Sequence, residues 1–168
     1  GGQATAGGAG GGAGAGGPAG GSAGAAGGGA GDSDGGSLLL GESCVNPFIV
    51  PITWAGPVGT GSAMGSLVGA LDDRRVCGAT GRDVVYRFTV DRPATLTTTV
   101  TPLSAGFEPA VALQRGCPAQ PDELACIRSR QLYGVALSPG TYDLWVGAAT
   151  QTEGAFALSI VLTQSLDG

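Results

Sequence analysis

Histidine and lysine are both absent from this chain of 168 residues, and methionine occurs once. The usual general bases and nucleophile activators are therefore missing, and neither a Ser/His/Asp nor a Cys/His site can be assembled. All eight basic residues are arginines, charged residues make up 12% of the chain, and the net charge is −5. Phosphate binding depends on clustered positive charge that is lacking here, so nucleic acid is not an expected partner. No apolar run approaches the roughly 20 residues of a membrane-spanning helix, and no membrane span is expected.

Bulky side chains are missing from residues 1–30, which hold sixteen glycines, ten alanines and only Gln3, Thr5, Pro18 and Ser22 besides. Such a stretch cannot build a side-chain core. It offers little but its own amides, and is either a flexible tether or an assembly element held by backbone hydrogen bonds. A single polyproline II strand leaves every amide unbonded, whereas several can bond side by side where small side chains permit close approach. Pro18 fits that conformation, and Gly14 and Gly28 are candidate packed positions. The first charges appear in Asp32-Ser33-Asp34-Gly35, a polar hinge before Leu38-Leu39-Leu40. The composition thus divides the chain into an arm, residues 1–37, and a domain, residues 38–168.

Four cysteines, Cys44, Cys77, Cys117 and Cys126, lie in the domain with no C-x-x-C pair and no histidine to complete a zinc site. Their even number points to disulfides and an oxidising compartment, extracellular or at a cell surface. Three connectivities are open, of which Cys44–Cys77 with Cys117–Cys126 is favoured because the second pair brackets a short loop containing Pro118. No signal peptide is visible and position 1 is Gly, so the chain reads as a mature or trimmed form.

After residue 38 come short segments rich in β-branched and aromatic residues, separated by Gly, Pro and Asp at the spacing of an all-β sandwich. In residues 83–90, Val84, Tyr86, Phe88 and Val90 share one face, and Arg87 and Thr89 the other. Period two with a polar partner face predicts a half-buried strand. Asp91-Arg92-Pro93 reads as a hairpin turn into residues 94–101. Further strands are expected at 48–54, 110–114, 131–137, 141–146 and 155–162. Residues 59–71 are expected to be loop and short strand. The inward phases of the clearest strands predict a core of Val84, Tyr86, Phe88, Val90, Tyr142, Leu144, Val146, Phe156, Leu158 and Ile160.

Together, Asp83-Val84-Val85-Tyr86-Arg87-Phe88, the loop between Cys117 and Cys126, and Leu137-Ser138-Pro139-Gly140-Thr141-Tyr142 resemble the bacterial pre-peptidase C-terminal domain family and its relatives in myxobacterial secreted proteins. The resemblance covers roughly residues 44–162. It implies a jelly-roll-like antiparallel β-sandwich that accompanies secreted enzymes or surface proteins without being catalytic. Here a Gly/Ala arm stands where a catalytic domain would precede the module.

Hydrolysis without histidine would need paired carboxylates, and the candidates Asp72 with Asp73 and Asp122 with Glu123 read as solvated acidic loops. No D-x-D-x-D-G ladder of calcium ligands exists, and no metal or cofactor is expected. Trp54, Trp145, Tyr133 and Tyr142 are candidates for a sugar platform. Trp145 is the foremost, since Tyr142, Leu144 and Val146 alternate against it. The reading reached is a noncatalytic extracellular structural protein whose arm mediates self-assembly into a surface fibre. The alternative is a secreted module on a flexible tether, binding a partner protein or a cell-surface polysaccharide.

Overall fold

The computed structural model describes residues 40–72, 74–116 and 122–165. The arm, with Gly14, Gly28 and the Asp32-to-Gly35 hinge, lies outside the described residues, as do Asp73 and Cys117.

Ten strands form the domain: β1 (Phe48–Ile49), β2 (Thr53–Ala55), β3 (Val58–Ser66), β4 (Asp83–Val90), β5 (Ala94–Pro102), β6 (Pro109–Arg115), β7 (Asp122–Ile127), β8 (Gln131–Leu137), β9 (Gly140–Ala148) and β10 (Ala155–Gln164). One sheet, called A, runs β1-β4-β9-β6-β7, and the other, B, runs β2-β3-β10-β5-β8. Counting β3 to β10 as strands one to eight, the orders are 2-7-4-5 and 1-8-3-6, the connectivity of a jelly roll. Every pair is antiparallel except β1 with β4.

All ten residues expected in the core are buried in the main cluster between the sheets. Aromatic rings organise its centre: Phe88 stacks on Tyr142 with centroids 5.8 Å apart, and Phe107 on Phe156 at 5.8 Å.

Three local expectations are corrected. β4 and β5 do not form a hairpin, because Asp91-Arg92-Pro93 carries the chain from sheet A to sheet B. The inward phases of the two strands, apolar except for Thr98, face one another across a single core. The strand expected at residues 48–54 is two strands in different sheets, since the chain crosses over at Pro51, which cannot donate to a ladder.

The third concerns residues 59–71, where β3 is a long strand paired along its whole length with β10. Its inward positions Gly59, Gly61 and Gly65 are small because rings and branched chains occupy that space. A Cβ on Gly59 would lie 2.9 Å from the Trp54 ring, and one on Gly61 2.8 Å from Ile52 Cδ1. At Gly65 it would fall on the Tyr86 hydroxyl and the Phe156 ring. Glycine here marks close approach between elements and not a loop.

Candidate functional site

The two outer faces of the sandwich differ. On sheet A, Val85, Ala110, Ala112 and Trp145 point away from the main core, yet all are buried in a second apolar cluster with Val76 and Ala79. What covers them are the segments 41–47 and 74–79. Gly41 O accepts from Val85 N (2.8 Å), Glu42 Oε2 from Leu71 N (2.7 Å) and Cys44 O from Arg87 Nη2 (2.9 Å). The second segment turns through a short 3₁₀ helix, Val76–Gly78, and is tied to β7 by Cys77–Cys126, with Cα atoms 5.4 Å apart. Cys77 has φ 54°, and its carbonyl accepts from Arg128 Nε at 3.0 Å.

This bridge replaces both expected pairings. Short spacing favours a loop clasp only where the residues form a loop, and residues 122–127 are instead a strand paired with β6. Cys126 lies there directly opposite Ala112, under the 74–79 segment. Cys44 is also disulfide-bonded, while Cys117 is outside the described residues. The oxidised cysteines match an extracytoplasmic environment.

Trp145 has the expected phase but not the expected exposure, at 4% of its surface. The Arg74 guanidinium carbon lies 5.3 Å from its ring centroid. A ring sealed in this way cannot stack on a sugar. Among the other aromatics, Tyr142 is buried and donates its hydroxyl to Ser138 O (2.6 Å), and Trp54 is half-buried beneath Arg92 (4.4 Å). Only Tyr133 stands free, 80% exposed on β8.

The charged groups on sheet A are engaged with one another. Asp143 is fully buried and takes a two-pronged hydrogen bond from Arg87, at 2.7 and 2.9 Å. That bond raises the Arg87 pKa above its ordinary value. Arg74 bonds Gln114 and reaches Glu123 at 3.4 Å. Glu123 is therefore half of an ion pair on an edge strand, and Asp122 sits across from Arg115 at the same strand's start. Asp72 lies exposed beside a depression of about 260 Å³ lined by Thr80, Arg82, Gln151 and Glu153. No group of three or more metal-ligating side chains occurs among the described residues.

Sheet B presents the opposite surface. Among the described residues no segment crosses it, and its outward residues on β3, β10 and β5 are all exposed or half-buried. None of them is charged. A shallow depression of about 380 Å³ lies on it, lined by Pro51, Thr53, Thr60, Gly61, Ser62 and Ser159. Sequence reasoning missed this face because one of its strands is β3, whose glycines concealed it.

No protein-family profile matches the chain, and no curated protein does. Among solved structures the chain is similar to the pre-peptidase C-terminal domain of the collagenase from Bacillus anthracis, with 18% identity and a TM-score of 0.46 over 68% of this chain and 93% of that domain. It is also similar to PliG from Aeromonas hydrophila, a periplasmic inhibitor of g-type lysozyme, with 12% identity and a TM-score of 0.45 over 69% of this chain and 96% of that protein. PliG from Salmonella Typhimurium aligns with 14% identity and a TM-score of 0.34, over 69% and 99% of the respective chains.

Proposed function

We propose that this chain is a noncatalytic extracellular structural protein that works by presentation: a Gly/Ala-rich arm carries a disulfide-stapled sandwich with one open face. The asymmetry of the two outer faces carries this reading. Sheet A is sealed by segments tied down through Cys77–Cys126 and through half-buried Arg87, which is paired with the buried Asp143. Among the described residues nothing lies across sheet B, whose strands are uncharged and rich in hydroxyls. The described residues bring together no nucleophile, base and orienting partner with which to make or break a bond.

In this reading the arm, residues 1–37, is the assembly element. It packs amide to amide with the arms of neighbouring subunits into a surface fibre, with Gly14 and Gly28 among the packed positions. Electron microscopy of the full-length protein beside the Gly14→Val, Gly28→Val variant tests this. Filaments are expected from the first, and dispersed, folded molecules from the second. Dispersed monomers from both would replace the fibre by the alternative, a tethered binding module. With Trp145 covered, a cell-surface polysaccharide would then meet the outer face of sheet B, with Tyr133 at its rim.

A further inference from the structure

Five of the eight arginines are committed within the fold: Arg74, Arg82, Arg87 and Arg92 are ion-paired, and Arg115 donates to the Tyr142 hydroxyl. Arg75, Arg128 and Arg130 have no acidic partner among the described residues. Their places in the fold are related, because Arg75 lies two residues before Cys77 and Arg128 two residues after Cys126. The disulfide draws the unpaired cations into one region.

Two of them, Arg128 and Arg130, line a depression of about 360 Å³ together with Glu108, Pro109, Ser129 and Ala149. Its walls are fixed by backbone. Residues 128–130 connect β7 to β8, and Arg130 O accepts from Val100 N on β5 (2.7 Å); on the other side Glu108 O, just before β6, accepts from Ala149 N, just after β9 (2.7 Å). Arg128 is also aimed. Its Nε donates to Cys77 O at 3.0 Å, and Gly78, on which a Cβ would lie 3.2 Å from Nη2, leaves room for the guanidinium. The side chains of Arg130 and Glu108 make no hydrogen bond or ion pair among the described residues. Two cations and one anion thus share a pocket without neutralising one another.

The charge pattern selects a ligand. A guanidinium offers parallel N–H groups in a fixed fork that matches a carboxylate, and two guanidiniums against one carboxylate leave room for a single negative charge. A doubly charged inorganic anion would face Glu108 as well. Ionised, Glu108 can only accept hydrogen bonds, so the matching ligand carries a donor close to its own carboxylate, while the Ser129 hydroxyl can serve either group. The volume is at the small end of the roughly 300–1,000 Å³ of ligand pockets. We propose that this pocket binds a small carboxylate flanked by a hydrogen-bond donor, as found in a sugar acid or an amino acid, with Arg128 and Arg130 holding the carboxylate and Glu108 the donor. The inference depends neither on the arm nor on the outer face of sheet B.

Nuclear magnetic resonance titration of the isotope-labelled full chain at constant ionic strength tests it, with sodium glucuronate, alanine, glucose and sodium sulfate as probes. Saturable shifts in the millimolar range are expected at the amides of Ser129, Arg130 and Ala149 with glucuronate, alanine or both, and which of them saturates tells whether the donor is a hydroxyl or an ammonium. Glucose should leave these signals in place, and sulfate should bind more weakly. Arg130→Gln should weaken carboxylate binding at least about tenfold without moving signals from β4 and β9, and Glu108→Gln should strengthen sulfate relative to the carboxylates. Saturation by neither carboxylate, an equal response to glucose, tighter sulfate than carboxylate binding to the native protein, or unchanged affinity in Arg130→Gln would each overturn the inference. An unaltered order of ligands in Glu108→Gln would overturn the role given to Glu108.

Discussion

Removing the Cys77–Cys126 bridge by the double substitution Cys77→Ala, Cys126→Ala perturbs the protein at two levels. The bridged residues are 49 apart in sequence. Opening a loop of that length releases unfolded-chain entropy worth about 4 kcal/mol on the chain-entropy relation, a large part of the 5–15 kcal/mol typical of a domain. In the folded state the same bridge pins the Val76–Gly78 turn over Trp145. With a urea slope of about 2 kcal/mol/M, the loss should lower the unfolding midpoint by about 2 M. Urea titration followed by far-ultraviolet circular dichroism measures the first effect. The second is read from Trp145 emission without denaturant, in a Trp54→Phe background so that one indole reports; a red shift is expected as the cover loosens. A midpoint shifted by less than about 0.5 M would refute the entropic argument. Unchanged emission would refute the claim that the bridge holds the cover in place. A nonreduced digest should yield the Cys77–Cys126 peptide, and a Cys44–Cys77 peptide would contradict the pairing outright.

Two further outcomes follow from the interior. The Tyr86 hydroxyl is buried with no hydrogen-bond partner among the described residues, and burial pushes its pKa well above the ordinary tyrosine value. Tyr86→Phe should therefore raise stability by about 1 kcal/mol, and a lowered denaturation midpoint would show that the hydroxyl is satisfied. Gly65→Ala places a methyl against that hydroxyl and the Phe156 ring and should cost about 1–3 kcal/mol. The cost should shrink in the Tyr86→Phe background, so strict additivity in the double-mutant cycle would argue against their contact.

What the sequence determined by itself was the class of fold and the phase of its strongest strands. Alternation in β4, β9 and β10 is a local property, and a single phase buries Val84, Tyr86 and Phe88 whichever strands lie beside them. The motifs in residues 83–88 and 137–142 likewise pointed to the jelly roll that β3 to β10 form. Other features depended on contacts between residues far apart in the chain. Trp145 was correctly placed on the outer side of β9, but alternation cannot say that residues 74–79 fold back over it. The cysteine pairing turned on residues 122–127 forming an edge strand, although they are exposed, acidic at their start and poor in β-branched residues. β3 was hidden because its inward glycines are explained only by Trp54, Tyr86 and Phe156, which other strands bring against it. The outer face of sheet B was decided in the same way: its threonine row is local to β5, but β3, β10 and β8 are brought alongside only by pairing between segments far apart in the chain.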